Sequence, residues 1–391
     1  MSKLAELRST RWAAWLPAII AVVAVALFPL FRPPLDATMS DVIQALAYVV
    51  MALGLNIVVG FAGLLDLGYV AFYAFGALAA GWFASDHFSK VNGGEGVHIG
   101  VSEFVTTAFP QGIHVSFLLI IIGAIIVTAV AGAVIGLPTL RLRGDYIAIV
   151  TLAFGEIISR FAANGDSVII KGYALSNGRE SISPIDQLNL PLVGEFDSAT
   201  NLRLYFWLAL ALVLVVLFVN FRLRDSRLGR AWIALREDEV AAASMGVPLV
   251  RTKLTAYAIG ATFGGIAGAF LGVYNNSVNA NQFQFGISIF LLAMVILGGL
   301  GSIWGVVIGA VLLSFVNTYV IPDVLDKGSF NNLLSDVGLD FTFGEIKFGV
   351  FGFILVLMMV LRPQGLLPER RRAIELTEGR DADDAIVETR A

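Results

Sequence analysis

Polar side chains that could act on a small polar solute interrupt otherwise apolar stretches of this sequence. Glu156 lies in TLAFGEI, Asp66 lies in FAGLLDLGYVAF, and Asn56 precedes Gly60 by one helical turn. If these stretches cross a membrane, ionisable groups within them are costly unless they are paired or hydrated, and such groups mark solute routes. The structural alternatives are a helix N-cap for Asp66 and a hydrogen-bonded buried group for Glu156.

The sequence lacks the residue combinations that catalysis or metal binding would need. It contains no cysteine and no Gly-Lys dipeptide, which excludes thiolate metal sites and the phosphate-binding loop GxxxxGK[ST]. His87, His98 and His114 lie outside the long apolar stretches, which argues against a histidine proton relay. We therefore expect no catalytic site, no metal site, no enzymatic activity and no nucleic-acid partner.

The elements that position these polar residues are predicted to be membrane helices. Only 14% of the 391 residues are charged, and the mean hydropathy is +0.82. Each backbone amide in lipid must be satisfied within its own helix, and a span needs about 20 apolar residues. The predicted fold class is an all-α polytopic membrane protein. Its ten hydrophobic segments are 12–31, 42–60, 66–84, 115–137, 146–162, 203–221, 254–273, 288–300, 303–321 and 346–361.

Glycines interrupt some of these segments. The second and third segments nearly adjoin, and the eighth and ninth are joined by GGLGS. Tightly joined, glycine-interrupted pairs indicate broken or re-entrant helices. The glycines expected to act as hinges or points of close packing are Gly60, Gly63, Gly68, Gly155, Gly298, Gly299 and Gly301.

The basic residues predict the orientation. With the N-terminus inside, 18 of the 26 Lys and Arg residues fall on the cytoplasmic side, as the positive-inside rule requires. Both termini are therefore predicted to be cytoplasmic. The predicted organisation is a cytoplasmic N-terminus at 1–11, a transmembrane domain at 12–362 with a cytoplasmic loop at 222–253 and extracytoplasmic loops at 85–114, 163–202 and 322–345, and a charged cytoplasmic tail at 363–391.

The cytoplasmic loop contains a short polar segment, EDEVAAASMG, at 237–246. Acidic residues precede a run of alanines that favours helix, and Gly246 ends the run as a C-terminal cap would. A helix resting on lipid headgroups is one alternative, but anionic headgroups repel acidic side chains. The headgroup alternative therefore explains the basic residues of the loop well and its acidic cluster poorly.

This segment resembles the EAA loop of ABC importer permeases, in which a Glu-Ala-Ala core is followed by glycine and the short helix docks into a cleft of the ATPase subunit. Glu239, Ala241, Ala242 and Gly246 lie closest to that pattern, while Val240 is an insertion that departs from it. The resemblance implies an ATPase-coupling role for these four residues and for Glu237.

Five motifs together resemble the LivM-like permeases of branched-chain amino-acid ABC importers, from about residue 40 to 368. They are GFAGLLDLGYVAFYAFGA (60–77), LPTLRLRGDYIAIVTLAFGEI (137–157), SRLGRAWIALREDEVAAASMG (226–246), ILGGLGSIWGVVIGA (296–310) and LRPQGLL (361–367). The loops at 85–114 and 163–200 are longer than is usual in that family.

The resemblance implies a permease in the plasma (inner) membrane that forms half of a translocation path. Its expected partners are a LivH-like second permease, two cytoplasmic ATPase subunits, an extracytoplasmic solute-binding protein and the lipid bilayer. The chain itself is expected to bind no cofactor, since the partner subunits use the ATP. A zwitterionic solute needs charges or dipoles along its route, and Asn56, Asp66, Tyr69 and Glu156 are the predicted lining.

Other functions stay open at this point. Relatives of this family also import urea, short amides, other amino acids and aromatic acids, and the sequence does not determine the solute. A different class is an ion-coupled secondary transporter, with Glu156 and Asp66 as the coupling carboxylates, because such folds also use glycine-broken helices. A pore or scaffold subunit is a further possibility.

Overall fold

The protein is mostly helical. The computed structural model describes residues 16–139, 142, 144–170, 172–190, 194–196, 198, 200–326, 343–362 and 364–367. These residues form thirteen α-helices. The helices are α1 Leu16–Leu27, α2 Ala37–Asn56, α3 Val70–Phe83, α4 Glu103–Ala108, α5 Phe117–Thr139, α6 Asp145–Ala163, α7 Arg203–Arg224, α8 Arg227–Glu237, α9 Glu239–Ser244, α10 Leu249–Tyr274, α11 Phe285–Gly298, α12 Ile303–Phe315 and α13 Phe343–Leu361.

Six helical stretches of the described chain are long and apolar enough to cross a membrane, so the predicted polytopic helical class is confirmed. They are Ala37–Phe61, Phe117–Thr139, Tyr146–Ala163, Arg203–Arg224, Leu249–Tyr274 and Ile303–Pro322. Shorter apolar helices at Val22–Phe31, Val70–Phe83, Phe285–Gly298 and Ile346–Leu361 correspond to the other predicted segments. Ten crossings and cytoplasmic termini stay predictions; residues 1–15 and 368–391 lie outside the described residues.

Helix α10 is the centre of the bundle, packed against α2, α3 and α5. Its glycine face makes this possible, because a side chain at Gly268 would collide with the Tyr73 carbonyl of α3, and one at Gly260 would press on the Gly54 carbonyl of α2. Small residues let helix backbones approach closely in lipid. By contrast, α5, α7, α12 and α13 keep apolar side chains exposed on their outer faces, as helices that face lipid do.

The connections between α3 and α5 and between α6 and α7 contain small sheets. Strands β1 Ala84–Ser85, β2 Val97–Ile99 and β3 Ile113–Val115 form one sheet in the order β1-β3-β2. Strand β3 is antiparallel to β1 and parallel to β2. Two antiparallel pairs follow, β4 Ile169–Ile170 with β5 Tyr173–Ala174, and β6 Leu188–Leu190 with β7 Gly194–Phe196.

A buried histidine joins these two long connections. His114 Nδ1 lies 2.8 Å from Asp186 Oδ2, and its Nε2 lies 2.7 Å from the Gln111 carbonyl and 3.2 Å from Asp86 Oδ1. The ring of His98 stacks on the His114 ring at 5.1 Å. Burial lowers the pKa of His114, but hydrogen bonding and charge attraction from Asp186, assisted by Gln111 and Asp86, outweigh it and raise that pKa.

We therefore predict that the link between these connections weakens as the pH rises. A group whose pKa is raised on folding adds stability below its unfolded pKa of about 6.5 and loses that contribution as the pH passes the folded pKa. Hydrogen exchange of the β3 amides, corrected for intrinsic rates, should speed up across that interval. His114→Gln should abolish this pH dependence, whereas His87→Gln, at a histidine whose Nε2 lies 3.0 Å from the Ala174 carbonyl and not from a carboxylate, should keep it. Equal profiles for His114→Gln and the unmodified protein would contradict the prediction.

Candidate functional site

The break between α2 and α3 is an irregular, buried part of the bundle. Helix α2 passes into a wider π-helical turn at Ile57–Phe61, in which the Ala62 N–H donates to the Ile57 carbonyl at 3.1 Å. Gly63 then takes a φ of +69°, a conformation that glycine adopts without a Cβ penalty, and helix resumes only at Val70. The structure thus shows an interrupted helix where the adjoining segments predicted one. We call residues 57–69 the junction.

Asn56 fixes the start of the junction to a distant loop. Its side chain is fully buried, and its Oδ1 accepts a hydrogen bond from the Gly301 N–H at 2.9 Å. Gly301 lies in the GGLGS connection between α11 and α12. No protein atom of the described chain hydrogen-bonds to Asn56 Nδ2. Asn56 therefore joins two breaks in the helical bundle to each other.

Asp66 and Thr151 satisfy the backbone in the middle of the junction. Asp66 is buried, and its Oδ1 accepts from the Gly68 N–H at 2.8 Å, while the Leu67 N–H donates to Thr151 Oγ1 on α6 at 3.0 Å. Asp66 is not the helix N-cap, because Tyr69 holds that position; it instead closes a local turn ahead of α3. A side chain at Gly68 would overlap the Thr151 carbonyl, so α6 lies directly against this backbone.

The end of the junction is bonded to two more helices. The Tyr69 hydroxyl donates to the Gly260 carbonyl of α10 at 2.8 Å, and the Val70 N–H donates to Ser288 Oγ of α11 at 3.0 Å. Asn56, Asp66 and Tyr69, three of the predicted lining residues, are thus brought together at one buried site. All three are engaged by neighbouring backbone.

The side chain of Glu156 lies outside this buried site. Its neighbour Gly155 packs on Gly68, but the Glu156 side chain is 44% exposed, with Oε2 at 3.9 Å from Arg160 Nε one turn further along α6. Both side chains line a shallow groove with Ile157, Phe161 and Asn164. The side chain of Glu156 therefore does not join the buried site that contains the other three predicted lining residues.

The predicted hinge and packing glycines lie at these close approaches. A side chain at Gly298 would collide with Gly305, and one at Gly299 with the carbonyls of Gln364 and Leu367. The N–H groups of Leu366 and Leu367 donate to the carbonyls of Leu297 and Gly298, at 2.8 and 3.1 Å, and so cap the end of α11. The LRPQGLL motif thus packs onto the GGLGS connection. Hinge motion at any of these glycines stays a prediction.

The helix pair α8–α9 lies between the ends of α7 and α10, and its second member is strongly capped. Asp238 Oδ1 accepts from the N–H groups of Val240 and Ala241 at 2.8 and 3.0 Å, as an N-cap does. At the other end the Val247 N–H donates to the Ala242 carbonyl and the Gly246 N–H to the Ala243 carbonyl, both at 3.0 Å. Gly246 has a φ of +83°, so the expected C-terminal cap is confirmed as a Schellman motif.

One face of α9 is fixed and the other is exposed. Glu239 Oε1 accepts from Lys253 Nζ at 2.8 Å, the lysine being only 3% exposed, and Ala242 is buried. On the opposite side Val240 is 63% and Met245 84% exposed. Glu237, Asp238 and Ala241 are exposed beside them. The exposed face therefore presents two apolar side chains with carboxylates next to them.

Three residues that organise these sites were not predicted. Asp238 was detectable, since an Asp immediately before a short helical run is a local N-cap signal. Lys253 is 14 residues from its partner Glu239, and Arg236 donates through Nη1 to the Gly60 carbonyl at 2.6 Å across 176 residues. No local pattern gives either of those pairs. Among the described residues, no group of three or more His, Asp or Glu side chains is placed to hold a metal ion.

Long apolar helices around a buried, glycine-rich helix break, together with a capped polar helix outside the apolar segments, are typical of a multi-pass membrane transport protein. A family model described as "Branched-chain amino acid transport system / permease component" matches residues 39–359. The chain belongs to that family, and it is a multi-pass protein of the plasma membrane.

Its similarity to individual permeases covers most of the chain. It is 37% identical to the high-affinity branched-chain amino acid transport system permease protein LivM of Salmonella typhimurium, covering 92% of this chain and 76% of the relative. Identity with LivM of Escherichia coli is 36%, over 85% of this chain and 70% of the relative. The permease protein LivH of Salmonella typhimurium is 24% identical, over 82% of this chain and 91% of the relative. No solved structure was found to match the chain.

The junction makes a prediction about stability. Asn56→Leu should lower the free energy of unfolding by about 1–3 kcal/mol, because it leaves the buried Gly301 N–H without an acceptor. The matched control is Asn220→Leu, since Asn220 is equally buried but its Nδ2 donates only within its own helix, to the Val216 carbonyl. Thermal unfolding of the purified protein in mild detergent measures both. Equal losses of stability for the two variants would contradict the prediction that the Asn56–Gly301 hydrogen bond stabilises the fold more than a bond within one helix does.

Proposed function

We propose that this chain is one of the two membrane-spanning permease subunits of an ATP-driven importer for branched-chain, hydrophobic amino acids. Family membership supports a permease of an amino-acid transport system, and the likeness to LivH supports a second, related permease as its partner. Two cytoplasmic ATPases and an extracytoplasmic solute-binding protein complete the proposed assembly. In this assembly both termini and the α8–α9 pair face the cytoplasm, and the connections at 85–114 and 163–202 face outward.

The exposed face of α9 carries this proposal. A helix of six residues is too short to be stable alone, yet this one is capped at both ends and attached to α10 through Glu239 and Lys253. Such restraint leaves Val240 and Met245 rigidly displayed, and apolar side chains displayed in this way mark a protein interface. An ATPase cleft with an apolar floor and basic rim would complement this face and the acidic side chains beside it.

The solute path is proposed to lie on the outer face of α6, against the second permease. Glu156 and Arg160 are exposed there within a predicted span, and ionisable groups in that position need water or a partner. A shared, hydrated path supplies both, and the paired charges suit a zwitterion. Asn56, Asp66 and Tyr69 then support the wall of the path from behind, since their bonds go to backbone.

Assembly with ATPases tests the function. The chain would be expressed with its candidate partner subunits, purified through a tag on this chain, and its partners quantified by mass; ATP-driven leucine uptake would be measured in proteoliposomes. We predict two ATPases and one sister permease per copy. Met245→Asp should remove most of the ATPase, because a carboxylate cannot enter an apolar cleft without a large desolvation cost, whereas Met245→Leu should retain it.

Recovery of this chain without any ATPase, or uptake that an ionophore abolishes and vanadate does not, would instead favour the ion-coupled carrier. Full ATPase recovery with Met245→Asp would show that α9 docks in another way.

The path prediction concerns Glu156. At equal ATPase recovery, Glu156→Gln should lower leucine uptake about tenfold, because the loss of one compensating charge leaves a passing ammonium group less well stabilised. The control is Glu103→Gln, at an exposed acidic residue in the first turn of α4. Unchanged uptake with Glu156→Gln would remove this residue from the path.

A further inference from the structure

The side chain of Arg236 joins the α8–α9 pair to the junction. Arg236, in the last turn of α8, donates from Nη1 to the Gly60 carbonyl at 2.6 Å. Its aliphatic stem packs on Gly63, where a Cβ would collide with Arg236 Cγ. The guanidinium group is always charged and forms short, strong bonds with carbonyl oxygens. Arg236 therefore holds the junction both by a charged hydrogen bond and by contact.

The donating side of this link is tied together at several points. Helix α9 follows α8 with only Asp238 between them, and Asp238 both ends the first helix and caps the second. The buried Trp232 of α8 donates from Nε1 to the Thr252 carbonyl of α10 at 3.0 Å. Glu239 of α9 is paired with Lys253, the residue that follows Thr252 in α10. A displacement of the exposed face of α9 must therefore carry the end of α8 with it.

The receiving side is the irregular turn that follows α2. Gly60 lies within the π-helical turn, whose wider hydrogen-bonding pattern is less stable than α-helix. A side chain at Gly60 would collide with Asn56 and with the Gly301 N–H, so the Gly60 backbone touches the bond that joins the two breaks. A movement at Gly60 is thereby passed to the α11–α12 connection, and through Leu67 and Thr151 to α6.

We propose that Arg236 is the positioning residue that transmits displacement of α9 to the junction, and so couples ATPase movement to the walls of the solute path. The inference rests on the proposed function, because it takes an ATPase on α9 as the source of the movement. This role requires no contact of Arg236 with solute or nucleotide. Its role is to make the junction follow α8.

The test compares three variants in the assembled transporter. Arg236→Gln removes the charge, Arg236→Lys keeps it, and Arg230→Gln is the matched control, an arginine of the same helix whose Nη1 donates locally to the Asp225 carbonyl. Leucine uptake, ATP hydrolysis and ATPase recovery are measured for each. We expect Arg236→Gln to lower uptake about tenfold at unchanged recovery and hydrolysis, Arg236→Lys to restore part of it, and Arg230→Gln to match the unmodified protein.

A second readout follows the junction itself. The chain has no cysteine, so Leu65→Cys, at a partly exposed junction residue, supplies one labelling site for a maleimide. In the unmodified background its labelling rate should change when ATP and vanadate are added. With Arg236→Gln that change should be lost while vanadate-trapped nucleotide is still retained by the ATPases.

The outcomes separate the two proposals. Normal uptake and a normal labelling response in Arg236→Gln would overturn the role of Arg236 and leave the proposed function standing. If Arg236→Gln and Arg236→Lys both lose ATPase recovery, or lose hydrolysis and uptake in proportion, Arg236 is a structural clamp and the inference is wrong. If the unmodified chain recovers no ATPase, the proposed function itself fails.

Discussion

A helix that stops inside an apolar bundle exposes backbone N–H and C=O groups that lipid cannot satisfy, and this constraint organises the rest of the structure. In and beside the junction five such groups are matched by side chains, four of them from a different segment of the chain. The matching pairs are Leu67 N–H with Thr151, Gly68 N–H with Asp66, Val70 N–H with Ser288, Gly301 N–H with Asn56, and Gly60 C=O with Arg236. The break therefore determines how α6, α8 and α11 are placed.

The hydrogen bonds at the junction also require the backbones of neighbouring helices to approach it closely. Side-chain hydrogen bonds reach the junction only if the neighbouring helices come near, and this requires small residues at the contacts. Gly68 against Thr151 and Gly260 against Gly54 bring α6 and α10 to that distance. Polar bonds alone are worth about 1 kcal/mol each, so they act together with packing and would not hold separated helices.

The sequence predicts features whose cause is local. Apolar runs predict the helices, adjoining runs predict the break, and Gly246 predicts the end of α9, because length and capping depend on neighbouring residues. The Asn56–Gly301 pair spans 245 residues, and its register depends on packing that local patterns do not contain. Glu156 was predicted to line a polar path together with Asn56, Asp66 and Tyr69. Which way it faces depends on the rotation of α6, and both sides of α6 are largely apolar, so the pattern does not give that rotation.

For a displacement of α9 to reach the helix break, the α8–α9 pair must move as a rigid unit and the π-helical turn must deform. The α8–α9 pair is held to α10 at two points, because Trp232 donates to the Thr252 carbonyl and Glu239 accepts from the buried Lys253. The π-helical turn is compliant, because its backbone already departs from the regular α-helical pattern. Since Arg236 connects the two directly, a push on the exposed face would deform the turn before it deformed the surrounding close-packed helices. A bundle built uniformly of regular helices would absorb the same push as a rigid-body shift, and the proposed solute path would not change shape.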